Sequence, residues 1–249
     1  MAKIGCSGWN YDAWRGSFYP EGVGPARWLR EYARHFDTVE VNSTFYRLAS
    51  RKAVERWVAD TPDDFCFAVK ASRYLTHIKR LADDAGKGFS LSEGITRFYE
   101  PLEPLILAGK LGPILWQLPA NFRRDDERLA HVLSLVPPGR HCFEFRDASW
   151  FADDVYSLLE RHDAALVIGD DPERPLPVVE PVGRWTFVRF HRGSRGRRGN
   201  YSRTEVEQWA AKIARWRDAG TDVYAYFNND WEAFAPRNAK LLERLLERR

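Results

Sequence analysis

No apolar run in the chain approaches the ~18 residues that a bilayer-crossing helix requires, so no membrane partner is expected. Cysteine is scarce. Cys6, Cys66 and Cys142 lie far apart in apolar stretches, with no CxxC pair and no even-numbered framework. That pattern fits buried free thiols in a reducing cytoplasm. The basic and apolar regions of a signal peptide are missing from MAKIGCSGW, which reads at once as a strand and also points to the cytoplasm. An excess of charge of one sign is missing too: 38 basic and 35 acidic side chains leave a formal charge of +3. Arg192, Arg195, Arg197 and Arg198 outweigh that surplus by themselves. Basicity is therefore local, which argues against a general nucleic-acid coat protein. HxH and HExxH spacings are absent, and no dedicated metal site or cofactor is expected.

What is present is ordinary globular material. The 249 residues are 44% hydrophobic and 29% charged, enough to bury the core of one barrel-sized domain spanning 1–249. Short β-rich runs fall at 3–9, 38–44, 65–70, 112–118, 141–145, 165–170, 185–191 and 222–229, most with helical patterns between them. Helix starts are read at Pro25, Asp125, Asp153 and Asn238. Ser202 and Glu205 have capping-box spacing ahead of Val206, Trp209, Ile213 and Trp216. This alternation predicts a single-domain α/β fold, a (β/α)8 TIM-like barrel. The sixth connection, DDPERPLPVVEPVGR at 170–184, is too rich in proline for a helix and is expected to be an extended loop.

Several strands carry polar residues where a barrel needs branched apolar ones. Period-2 counting sets Glu40 and Asn42 opposite Val39 and Val41, Glu144 and Arg146 opposite Phe143 and Phe145, and Arg189 and His191 opposite Val188 and Phe190. Lys70, Gln117, Asp170 and Asn228 sit near the C-terminal ends of their strands, where barrels of this kind carry binding and catalytic groups. Any one of these residues is as well explained by a structural ion pair, Glu144 with Arg146 or Arg189 for example. Ionisable groups at so many strand ends are not, and a polar mouth is the simpler account.

The segments GCSGWNYDAWRGSFYP, FDTVEVNSTFYRLAS, DFCFAVKASRYLTH, LGPILWQLPANF, FEFRDASW, VRFH, YS and DVYAYFNND occur in order along nearly the whole chain. As an ordered set they closely resemble the motifs of an uncharacterised TIM-barrel family, domain of unknown function 72. The resemblance implies a (β/α)8-like barrel and supplies no established reaction. Two positions depart from the family pattern: Arg192 precedes Gly193 where glycine usually follows the FH pair, and Asp147 stands where histidine or asparagine usually follows EFR. The first departure makes the loop after the seventh strand unusually cationic.

Four chemistries compete for the mouth. Glu144, Asp170 and His191 resemble the order of metal ligands in sugar-isomerase and apurinic-endonuclease barrels, but Lys70, Arg146 and Arg189 would repel a divalent cation. Glu40 and Glu144 could flank a glycosidic bond. Lys70 could form a Schiff base if it were desolvated beside another cation, although a lysine at a strand end more often clamps an anion. The favoured reading is an anion site. Lys70, Arg146 and Arg189 would bind a phosphate-bearing substrate, Trp9, Asn42, Tyr46, Gln117, Asp170 and Asn228 would line the site, and Glu40, Glu144 and His191 would be catalytic, as in phosphoester hydrolysis. A non-catalytic barrel that stacks single-stranded nucleic acid on aromatics beside Arg195, Arg197 and Arg198 is the second reading, and a sugar-processing barrel the third. Glycines at 193, 196 and 199 predict a mobile cationic rim over the mouth.

Overall fold

The strand pattern closes on itself. In the computed structural model, which describes residues 1–83, 88–173, 180–194 and 197–248, eight parallel strands form a closed barrel in sequence order. They are β1 (Ala2–Ser7), β2 (Thr38–Val41), β3 (Cys66–Lys70), β4 (Leu111–Gln117), β5 (His141–Glu144), β6 (Ala165–Asp170), β7 (Trp185–Phe190) and β8 (Asp222–Phe227). β8 returns to pair with β1 along Ala2–Cys6, which seals the ring.

Two cores follow from the alternation of side chains along each strand. The residues facing out, such as Val39, Val41, Val69, Trp116 and Phe143, pack under the helices in one large apolar cluster. The residues facing in form a second cluster that includes Ala68, Leu115, Cys142, Val167, Phe187 and Tyr226. Small and large side chains alternate there, so the lower barrel is filled rather than hollow. On six strands the last inward position is left for chemistry. Ser7, Glu40, Lys70, Gln117, Glu144 and Arg189 occupy it on β1, β2, β3, β4, β5 and β7.

Most predicted helix starts stand. Ser202 and Glu205 form a complete capping box on the helix Arg203–Asp218, and Asp125 caps Asp126–Leu135 by accepting from the Arg128 amide. Pro25 opens a short 3-10 turn that leads into Trp28–Tyr32, and Asp153 opens Asp153–Arg161. The last helix differs from expectation, running Phe234–Glu247 instead of starting at Asn238. Pro236 lies in its first turn, where the missing N–H breaks no helical bond, so proline does not delay the start. In the sixth connection, 171–173 and 180–184 hold no helix, and 174–179 lie outside the described residues. All three cysteines are free thiols.

Candidate active site at the barrel mouth

Arg189 organises the mouth. It points inward from the end of β7, is buried, and binds two carboxylates from across the barrel. Its Nε and one terminal nitrogen donate to Glu40 at 2.9 and 2.8 Å, and the other terminal nitrogen donates to Glu144 at 2.6 Å. Ser7 Oγ donates to Glu40 Oε1 at 2.8 Å. Burying three charges is costly, and only this fork geometry with its short charge-assisted bonds offsets the lost hydration.

Glu144 then connects the knot to the rim. Its Oε1 accepts from Gln117 Nε2 at 2.9 Å and from Arg146 at 3.1 and 2.7 Å. Burial pushes the Glu144 carboxyl upward, but Arg189, His191 and Arg146 more than reverse this and hold it well below the usual carboxylate range. Gln117, oriented by Glu144, turns its carbonyl oxygen to Lys70 Nζ at 2.8 Å. The Lys70 ammonium also lies 4.3 Å from the centre of the Phe45 ring. Burial, and then the nearby Arg189, push the pKa of Lys70 down to about 8 against the pull of Glu40 and Glu144.

His191 follows β7 directly, with Nδ1 3.3 Å from Asn228 Nδ2. An amide nitrogen can only donate, so Nδ1 accepts and the ring proton sits on Nε2. That Nε2 lies 3.6 Å from Glu144 Oε1, too far to bond, and is a buried polar atom without a partner. Asn42 Oδ1 at the end of β2 is another.

The mouth therefore brings together Glu40, Asn42, Lys70, Gln117, Glu144, Arg146, Arg189, His191 and Asn228. Asp170 is not among them. Its Oδ2 accepts from Trp209 Nε1 of the helix Arg203–Asp218 at 2.8 Å, on the outer face of β6, so the trio Glu144, Asp170 and His191 does not assemble. Trp9 packs edge-on against Trp57 of the helix Arg51–Ala59, while Tyr46 is 82% exposed on the short helix Ser43–Tyr46. Arg189 fills the space between the two glutamates where a glycosidic bond would have to lie.

At the described residues of the arginine rim, part of the positive charge is paired. Arg195 lies outside the described residues, as does the side chain of Arg197. Arg192 pairs with Glu173, and Arg198 pairs with Glu232 while lying 5.1 Å from the Trp231 ring. Gly193 donates its N–H to the Gly199 carbonyl, and a Cβ at 193 would meet the Asn200 carbonyl oxygen at 2.3 Å. Glycine at 193 thus allows close backbone approach, while at 199 it supplies a φ of +80°. Gly196 lies outside the described residues.

Two contributors escaped the sequence reading. Ser7 is one, although its place at the end of β1, level with Glu40, marked it. The other is the segment after β3: burial, then Lys70, Arg73, Arg146 and Arg80, all lower the pKa of His77, which packs edge-on against Phe45. One side of the mouth is therefore positive.

A family model described as "Protein of unknown function DUF72" matches residues 3–249. The chain belongs to the DUF72 family. Among curated relatives, UPF0759 protein YunF of Bacillus subtilis (strain 168) is 28% identical over 282 residues, spanning 99% of this chain and 95% of that protein. UPF0759 protein YecE of Escherichia coli (strain K12) is 34% identical over 140 residues, 55% of this chain and 45% of that protein. The crystal structure of a DUF72 family protein from Thermotoga maritima matches with a TM-score of 0.85 at 27% identity, covering 99% of both chains. One from Enterococcus faecalis matches at 0.82 and 21% identity, over 99% of this chain and 96% of that one, a likeness of fold. These names assign no reaction, so the function of this DUF72 protein has to be argued from its mouth.

Proposed function

We propose that this DUF72 barrel is an enzyme for a small substrate carrying an anionic group, phosphate foremost, which binds at the mouth beside Lys70 and Arg146. One observation carries the reading. Arg189 is matched by two glutamates, whereas Lys70 has no ion-pair partner among the described residues and Arg146, 25% exposed, keeps N–H groups that no described residue accepts. A surplus of donors and of positive charge at the end of a closed barrel favours an anion.

Glu40 and Glu144 serve this reading as positioning groups. Each accepts three or more hydrogen bonds, two or more of them from arginine, which holds both carboxylates in place. In phosphoester hydrolysis His191 would donate its Nε2–H, which no described residue accepts, to an oxygen of the phosphate or of the leaving group. Calorimetric titration with inorganic phosphate tests the binding half. Wild type should bind, and Arg146→Gln should weaken binding about tenfold or more, the worth of a lost charge-assisted bond. No binding by wild type, or equal binding by the variant, would overturn it.

A second reading, single-stranded nucleic acid on the rim, draws support from Trp231, 54% exposed beside Arg198. Its test is polynucleotide affinity that falls steeply with salt, and a flat response would end it.

A further inference from the structure

Two buried lysines of this barrel are held differently. Lys110, 3% exposed just ahead of β4, donates to the Val58 carbonyl at 2.9 Å, the Thr61 carbonyl at 2.8 Å and Thr61 Oγ1 at 3.2 Å. All three of its protons have acceptors, so the ammonium is fully bound. Lys70, 9% exposed at the end of β3, has one acceptor among the described residues, the Gln117 carbonyl oxygen, and an aromatic face. Gln117 cannot swing away, because its amide nitrogen is bound to Glu144. Two cations, Arg189 and Arg146, act on Lys70 from the same mouth. A desolvated lysine beside other cations, without a carboxylate partner, is the environment that makes an amine nucleophilic near neutral pH.

We infer that Lys70 forms a Schiff base with the carbonyl carbon of a substrate that also bears the anionic group. The inference about the anion rests on the function proposed above, whereas that about the carbonyl does not. In the step, the neutral Lys70 Nζ adds its lone pair to the carbonyl carbon, and the C=O π pair moves to oxygen. The oxygen takes up a proton that nitrogen gives up, forming a carbinolamine. A second proton turns its hydroxyl into water, the C–O bond breaks, and the nitrogen lone pair forms C=N. One amine, one carbonyl and one proton become one iminium and one water. Nothing is oxidised or reduced, and no co-reactant is needed. Glu40 and Glu144 both favour positive charge at Nζ and therefore also the iminium formed there. Arg146, more exposed than Lys70, is placed to hold the anionic group while the carbonyl reaches the amine.

Reductive trapping tests this. The whole protein is incubated with glyceraldehyde 3-phosphate, or with neutral glyceraldehyde, in the presence of cyanoborohydride near neutral pH, and adducts are mapped by peptide mass. The exposed Lys52 serves as the internal reference. With the phosphorylated aldehyde, Lys70 should be labelled on the order of a hundred times faster than Lys52, the ratio set by a neutral-amine fraction governed by a pKa near 8. Arg146→Gln should slow that labelling, and Lys70→Arg should abolish it at that peptide. Because wild type alone gives the site, a variant that failed to fold would not rescue the idea. Labelling of Lys70 at the rate of Lys52, or none, would overturn the Schiff base even if phosphate binds. Equally fast labelling by both aldehydes would uphold the Schiff base and overturn the anion reading.

Discussion

The two ends of the barrel treat their charges differently. At the N-terminal end three basic side chains are closed off. Lys110 has three acceptors, Arg140 binds both Asp222 and Tyr224, and His141 uses one ring nitrogen for Trp116 and the other for the Pro137 carbonyl. At the C-terminal end Arg189 is matched as fully, yet around it His191 Nε2, Asn42 Oδ1 and the spare protons of Lys70 lack partners among the described residues. Among the described residues, Asn229 Oδ1 just after β8 is unpartnered too, as is Thr186 Oγ1 near the start of β7 and away from the mouth. Buried polar groups left open cost stability, so their concentration at one end marks that end as the one shaped for a ligand and the other as the one shaped for folding.

That contrast can be broken at its strongest point first. Arg189→Met removes the cation between two buried carboxylates and should cost about 3–5 kcal/mol in urea unfolding. A loss under about 1 kcal/mol would mean that the glutamates are not held by Arg189.

Next is the pH dependence of Lys70. Its folded pKa lies near 8, below the ordinary 10.5, so between these values the unfolded chain binds more protons than the native one. Stability should therefore rise with pH across that window, by up to about 3 kcal/mol relative to Lys70→Met. The gain should be absent below about pH 8 and complete above about pH 10.5. Equal pH profiles for wild type and variant would contradict it.

Swapping the two lysines sharpens the comparison further. Lys110→Met strands the Val58 and Thr61 carbonyls and should cost about 1–3 kcal/mol. Lys70→Met should cost less than that or stabilise the fold, while abolishing phosphate binding.

Much of this architecture was legible in the sequence. Every strand stands within three residues of its predicted run, because turn signals and β-rich composition bracket each one. Inward placement of Glu40, Glu144 and Arg189 follows from counting by twos. Their mutual engagement does not, since Glu40 and Arg189 are 149 residues apart and meet only across a closed barrel. Asp170 was misplaced for a different reason. In ALVIGD both faces are buried, so apolar residues fill both parities and the alternation that would set Asp170 with Ile168 is hidden. At the rim, counting glycines did not reveal that Gly193 is needed for a close backbone approach.

The most direct measurement is the titration of the Lys70 side chain itself, by NMR of ε-carbon-labelled lysine assigned with Lys70→Arg. An open, desolvated ammonium at the mouth predicts a midpoint near 8 that rises when inorganic phosphate is added. A midpoint at the ordinary 10.5, unmoved by phosphate, would contradict the account.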